Sequence, residues 1–295
     1  MTDPVKNVGA STERTAEYWT AIGTHERPEL WRNHPVCQDW MKIRRGGLSV
    51  IDSIARCVNK TGTRAASLGC GAGVSELALL KSGIVNTYDV FDITPSLLEN
   101  AAKSAAESGL THRFRPQMVD MNQVQLPVDS YDLVTFFSSL HHVADLEGVL
   151  NTCWRGLRSG GVLFAQEYVG PNRFAFPSEH VAIAKQFYRN LDPTFRCVWP
   201  ELPVPNPRDV EQADPSESIH SAEIIPAIRR ICPGASVVSF DIALTVILWY
   251  GLNYGPLYQQ PQGHDLVQWI LNVDQAFIQS ARISTYQVEI IAIKP

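Results

Sequence analysis

Three groups of residues have the types and spacing for chemistry. The first is Ser67-Leu68-Gly69-Cys70-Gly71-Ala72-Gly73. Alternate glycines allow a tight turn and let backbone approach a ligand closely. Amides exposed at the start of a following helix suit a carboxylate or a phosphate. The second group is acidic: Asp92 stands 23 residues after Gly69, and Asp120-Met121-Asn122 lies further on. A carboxylate placed like Asp92 can accept both hydroxyl protons of a ribose. The third group can handle protons: Ser138-Ser139-Leu140-His141-His142 and Gln166-Glu167-Tyr168. An imidazole titrates near neutrality, so His141 or His142 suits a general base, and Glu167 can accept a proton or hold an amine. Each group has a plainer alternative. The glycine turn can be structural, an isolated Asp such as Asp120 more often caps a helix, one histidine can simply pack, and Glu167 can be a structural carboxylate.

Elements must bring these groups together. Short apolar runs at 65–68, 85–91, 114–119, 133–137 and 162–167 read as strands. Helical spacing falls between them at 75–80, 96–108 and 146–157. This alternation implies a parallel sheet covered by helices on both faces. The glycine turn then follows a strand and opens a helix, Asp92 ends the next strand, and both proton-handling segments follow strands. In open parallel sheets ligands lie beyond the carboxyl ends of the strands, which puts all three groups on one side. Further along, 179–190 and 265–280 read as helices, and 237–250 and 287–293 as strands.

A dinucleotide dehydrogenase would also place an acid like Asp92, but its fingerprint wants glycine at the sixth position counted from Gly69, where this chain has Val74. With GxGxG in place of GxGxxG, residues 64–170 resemble a class I S-adenosylmethionine (SAM) dependent methyltransferase, motif by motif. Gly69, Gly71 and Gly73 match its first motif, Asp92 its ribose-binding acid, and Asp120-Met121-Asn122 its adenine-binding acid. Tyr131-Asp132-Leu133-Val134 matches the start of the fourth strand, and Leu157-Arg158-Ser159-Gly160-Gly161 the turn before the fifth. The resemblance implies SAM as cofactor, held also by Ser67, Cys70, Ile93 and Ser138. It implies an α/β fold with a doubly wound, seven-stranded, mostly parallel sheet whose last strand is antiparallel. The family often carries an acid at the position of Ser67, so a carboxylate role there is lost.

Changes of character along the chain, together with the resemblance, give four expected segments: an N-terminal helical lid over 1–62, the SAM-binding core over 63–170, a substrate-side helical insertion over 171–235 before strand six, and 236–295 completing the core. The insertion is expected from its many prolines, which exclude regular sheet. Tyr18, Trp19 and Trp31, with Tyr168, His180, Tyr188 and His220, are candidates to cover and bind a flat substrate, although packing is the commoner role for each alone. The expected activity is methyl transfer to a carbon, nitrogen or oxygen of a small molecule, such as a secondary metabolite, by direct displacement. Catalysis is assigned to His141, His142 and Glu167. A protein of this fold that binds SAM without methylating, such as a cyclase or a regulator, is the alternative; intact ribose and adenine acids disfavour it.

Bulk properties narrow the partners. The chain has 295 residues, 45% of them hydrophobic, with net charge −5 and pI about 5.9. A mildly acidic chain is a poor ligand for nucleic-acid phosphates. No run of 18 apolar residues and no secretory leader are visible, so no membrane partner and a cytoplasmic location are expected. Six scattered cysteines include no CxxC pair, and no Asp/His/Glu cluster shows metal-ligand spacing, so no metal is expected. A homodimer is compatible with the sequence, which leaves oligomeric state open.

Overall fold

The computed structural model describes residues 4–22, 30–58 and 62–295. Ahead of the sheet lie α1 (Pro4–Ile22), α2 (Pro35–Arg44) and α3 (Val50–Cys57). Alternating elements follow: β1 (Arg64–Leu68), α4 (Val74–Lys81), β2 (Thr87–Asp92), α5 (Pro95–Glu107), β3 (Phe114–Met118), β4 (Tyr131–Phe137), α6 (Leu146–Gly156) and β5 (Leu157–Tyr168). The chain then forms α7 (Ser178–Asn190), α8 (Pro207–Ala213), α9 (Ile224–Ile231), β6 (Ser236–Ser239), α10 (Leu244–Trp249), α11 (Tyr254–Gln259), α12 (Pro261–Gln279) and β7 (Gln287–Ile293).

The seven strands form one sheet in the order β3-β2-β1-β4-β5-β7-β6. β7 pairs antiparallel with β5 and β6, and the pairs among β1 to β5 are parallel. Strand order reverses between β1 and β4, which opens a crevice at their carboxyl ends. Leu68, Val90, Leu133, Val134 and Leu163 are buried, because helices cover both faces. One face packs on α6 and α9 through Leu150, Cys153, Ile224 and Ile228; the other carries Ile54, Leu77, Leu80 and Ala101 from α3, α4 and α5.

The expected strand over 237–250 is corrected. Only Ser236–Ser239 is strand, and Leu244–Trp249 is helix. Every residue from Phe240 to Trp249 is buried, so the run carries no period that separates strand from helix. Asp274 of α12 decides for the helix. Its Oδ1 accepts the Leu244 amide at 2.6 Å, and its Oδ2 accepts the amides of Ala243 and Thr245 and the Thr245 hydroxyl. A carboxylate from another helix thus satisfies the first N–H groups of α10.

The N-terminal segment divides in two. α2 and α3 belong to the packed body. Arg45 donates to Glu289 of β7 at 2.5 Å and to Gln166 of β5 at 2.8 Å, and Trp40 donates to the Phe240 carbonyl at 2.7 Å. α1 instead lies over the crevice, against α5 and α8. The proline-rich segment also divides: α9 packs on α6 as part of the core, whereas residues around α8 roof the crevice. No helix among the described residues is long and apolar enough to cross a membrane.

Candidate active site

The turn after β1 is shaped for close approach. Gly69 has φ 71°, and a Cβ there would lie 2.5 Å from the Cβ of Ser139. Gly71 has φ 53°, and the space its Cβ would occupy is open. The first glycine is demanded by packing; the second leaves bare backbone facing a cavity. Gly73 begins α4 against the Phe114 ring. At the end of β2, Asp92 accepts the Gly71 amide through Oδ2 at 2.8 Å and the Thr94 amide through Oδ1 at 2.9 Å. The acid and the glycine turn are therefore one hydrogen-bonded unit.

The carboxylate missing at position 67 is supplied from elsewhere. Ser67 Oγ donates to Oε1 of Glu76, on α4, at 2.6 Å, and Glu76 is fully buried beneath the turn. Burial, opposed by the Ser67 hydrogen bond, pushes its carboxyl up to about 7 from the usual 4.5. The native state therefore binds this proton more tightly than the unfolded chain. The stability it contributes is complete below about 4.5 and is lost as pH rises through about 7. The unfolding free energy of wild type, relative to Glu76→Gln, should fall across that window in chemical denaturation. A pH-independent difference would show that Glu76 is ionised throughout.

These residues open onto a cavity of about 970 Å³ at the switch point. Gly69, Cys70, Gly71, Asp92 and Ile93 line its floor, and Asp120, Met121, Asn122 and Ser138 one side. Asp120 caps the short 3-10 turn Met121–Gln123, accepting the Asn122 amide at 2.9 Å, and still faces the cavity. Its helix-capping and site-lining roles coexist. Thr12, Thr15 and Trp19 of α1 form the roof, with Leu30, Arg32 and, from the proline-rich segment, Arg173, Glu211 and Ser216. Asp214 ties the roof down: it accepts the Thr15 hydroxyl at 2.7 Å and the Trp19 indole N–H at 3.0 Å.

The wall beyond the glycine turn holds the two histidines. His141 Nδ1 lies 2.7 Å from Glu167 Oε2, while Glu167 Oε1 accepts the Ser139 and Leu140 amides, each at 2.8 Å. Burial alone would depress the His141 pKa, but Glu167 and then Glu217 hold it above the ordinary value. His142 lines the cavity. Its Nδ1 lies 2.9 Å from Ser216 Oγ, and Trp19 packs edge-on against its ring at 5.6 Å. Burial and the neighbouring His141 lower its pKa.

The remaining candidates are placed differently. Tyr168 is buried behind His141, with ring centroids 6.3 Å apart and its hydroxyl on the Pro171 carbonyl. Trp31 is buried in the cluster of α2, α7 and α10, although its neighbours Leu30 and Arg32 reach the cavity. Tyr188 is fully buried in that same cluster, so it is a core residue, with its hydroxyl on the Trp199 carbonyl at 2.9 Å. His180 pairs with the Tyr286 hydroxyl, Tyr18 packs on Trp19, and His220 precedes the 3-10 turn Ser221–Glu223. Of the seven residues expected to meet substrate, Trp19 lines this cavity. Sequence reasoning missed Thr15, Glu76, Asp214, Ser216 and Glu217. Asp214-Pro215-Ser216 carries the signature of an Asx turn, but nothing in the sequence links it to His142.

A methyltransferase domain model matches residues 66–165. The strand order and the glycine-turn geometry agree with that match. This part of the chain is similar to a methyltransferase domain, in agreement with the motifs of the sequence. The chain is 33% identical to a ubiquinone biosynthesis O-methyltransferase of Actinobacillus pleuropneumoniae serotype 7 over 152 residues, which are 50% of this chain and 58% of that relative. It is 30% identical over 114 residues to the enzyme of that name from Xylella fastidiosa strain M23, covering 39% of this chain and 45% of the relative. Matches to these curated relatives thus span about half of their length. Among solved structures, the geranyl diphosphate C-methyltransferase of Streptomyces coelicolor A3(2), in complex with Mg2+, geranyl diphosphate and S-adenosyl-L-homocysteine, superposes with TM-score 0.57 at 15% identity, over 96% of this chain and 97% of that chain. A phosphoethanolamine-type N-methyltransferase of Haemonchus contortus gives TM-score 0.54 at 14% identity, over 85% and 53% of the two chains. Likeness at that identity is likeness of fold.

Proposed function

We propose that the protein binds SAM in this cavity and directs its methyl group to a carbon, nitrogen or oxygen of a small molecule, in the cytoplasm. The observation that carries the reading is the joining, in one roofed cavity, of the glycine turn, Asp92 and Asp120 with His142. The fit is favourable: Gly71 leaves open space beside bare backbone, and two carboxylates are spaced along the same floor and side. Asp92 would hold the ribose and Asp120 the adenine end. When bound, SAM supplies a methyl group on a sulfonium, a good leaving group, so the protein's main task is alignment. Alignment supplies roughly 7–11 kcal/mol of barrier reduction in favourable cases.

The roof formed by α1 and the proline-rich segment favours an enclosed small acceptor, such as a secondary metabolite, over a nucleic acid. His142 from the cavity side, with the buried His141 beside it and Glu167 fixing the His141 ring from behind, makes the acceptor atom nucleophilic. The similar proteins act in ubiquinone biosynthesis or bind geranyl diphosphate or phosphomonomethylethanolamine, and candidate acceptors are drawn from these classes. Calorimetry should show binding of SAM and S-adenosylhomocysteine and no comparable binding of NAD. A mass-spectrometric screen of metabolite extracts with SAM should then show a mass gain of one methylene. NAD binding without SAM binding would overturn the reading.

A further inference from the structure

Two histidines and one glutamate that lie 75 positions apart in sequence meet at the edge of the cavity. One ligand atom from each of His141, His142 and Glu217 lies within 4.8 Å of the others. His141 Nε2 is 3.6 Å from Glu217 Oε1, and His142 Nε2 is 3.9 Å from Glu217 Oε2.

The hydrogen bonds behind the rings fix what faces forward. Glu167 Oε1 accepts two backbone amide hydrogen bonds, so this carboxyl group acts here as an acceptor. His141 Nδ1, at 2.7 Å from Oε2, therefore carries the proton in the neutral ring. Behind His142, the Ser216 hydroxyl donates to Asp214 Oδ1 at 2.8 Å. Its oxygen is then the acceptor for His142 Nδ1 at 2.9 Å, so that nitrogen also carries the proton. With both rings neutral each Nε2 keeps a lone pair, and each lies within 4 Å of a Glu217 oxygen. Three lone-pair groups converge, and behind each ring stands a carboxylate, direct for His141 and through Ser216 for His142. That is the arrangement by which metal-ligating histidines are oriented and made more basic. Arg173 beside the cluster donates to the backbone carbonyls of Asp214 and Glu217.

We propose that His141 Nε2, His142 Nε2 and the Glu217 carboxylate bind a divalent first-row transition ion, Zn2+ in the first instance. Tetrahedral ligands at metal distances of about 2.0–2.1 Å stand roughly 3.4 Å apart. The observed 3.6 and 3.9 Å run to the two oxygens of one carboxylate, and with all three groups within 4.8 Å of one another the site closes on an ion by side-chain rotation. Two imidazoles disfavour Mg2+ and Ca2+, which prefer oxygen. Because His142 lines the cavity, the remaining coordination position opens towards the acceptor. The proposal uses side chains already assigned to methyl transfer and refines how they act: with the ion present, the imidazoles reach the acceptor through it. Ion binding needs neither SAM nor acceptor, so the two readings can fail separately.

The test is calorimetric titration of untagged, chelator-stripped, full-length protein with Zn2+, alongside Co2+ titration read by visible absorption. One equivalent of Zn2+ should bind, and Co2+ should give the intense bands of a low-coordinate nitrogen–oxygen site. Glu217→Gln and His142→Ala should each weaken Zn2+ binding at least tenfold, and Glu167→Gln should weaken it about 10–100-fold through the ring it orients. Thermal unfolding and S-adenosylhomocysteine binding, measured on the same samples, report whether each variant is folded. Absence of saturable Zn2+ binding in wild type overturns the proposal, as does binding of undiminished strength in folded Glu217→Gln. Intact S-adenosylhomocysteine binding in that outcome would leave the methyltransferase reading in place.

Discussion

Replacing Asp92 with alanine is expected to weaken SAM and S-adenosylhomocysteine binding by about 10²–10⁴-fold while the chain stays folded. Two charge-assisted hydrogen bonds to ribose hydroxyls contribute on the order of 1.5–3 kcal/mol each, and each 1.4 kcal/mol is tenfold in affinity. Part of the loss comes before any ligand arrives. Asp92 also accepts the Gly71 and Thr94 amides, so its removal loosens the turn that must receive the cofactor. Calorimetry gives the dissociation constants, and circular dichroism reports the fold. An unchanged constant would show that Asp92 does not touch the ribose. Asp92→Asn is the sharper companion: it keeps the shape, but one arm of the amide must then face a backbone N–H with its own N–H.

The second large effect is expected at Glu167. Glu167→Gln should lower the single-turnover methylation rate by about 10²–10⁴-fold, the range of a positioned acid–base group, with little change in the SAM dissociation constant. The carboxylate accepts from two backbone amides and from His141 Nδ1. A carboxamide cannot do all three. If its oxygen keeps the amides, its N–H₂ faces Nδ1 and reverses the His141 tautomer, so that Nε2 presents a proton where it had a lone pair. A residue that only shapes the pocket would raise the apparent substrate constant with a smaller change in turnover. Near wild-type rates in Glu167→Gln, His141→Ala and His142→Ala would remove these three residues from the chemistry and leave alignment as its source.

The sheet was legible because each of its signals is local. The strand before Gly69, the acid ending β2, the acid after β3 and the glycine turn before β5 follow one another within about a hundred positions, and each can be read from its own neighbours. The run from Phe240 to Trp249 was not legible, because burial on all sides erases periodicity and the deciding group, Asp274, lies about thirty residues away. The same distance effect hides the back of the site. Ser67 reads as a lost carboxylate because the replacement, Glu76, comes from the next helix. Asp214, Ser216 and Glu217 sit in a proline-rich stretch with no regular period, and their link to the histidines exists only in space. Aromatic composition misled in a related way. Trp19 does reach the cavity, but Tyr188 has the same amphipathic character and is used to fill the core.

The roof has a kinetic consequence. Asp214 accepts from Thr15 and Trp19 of α1 and also from Ser216, whose oxygen faces His142 Nδ1. One carboxylate therefore joins the roof helix to the hydroxyl that faces His142. Whatever lifts α1 to admit or release a ligand also slackens the His142 relay, so the open protein is a disarmed one. Substitutions at Thr15, far from any bond that forms or breaks, would then register as defects of the chemical step and of ligand exchange together. Uncoupled methyl loss to water would be suppressed in the open state without a separate device for excluding it.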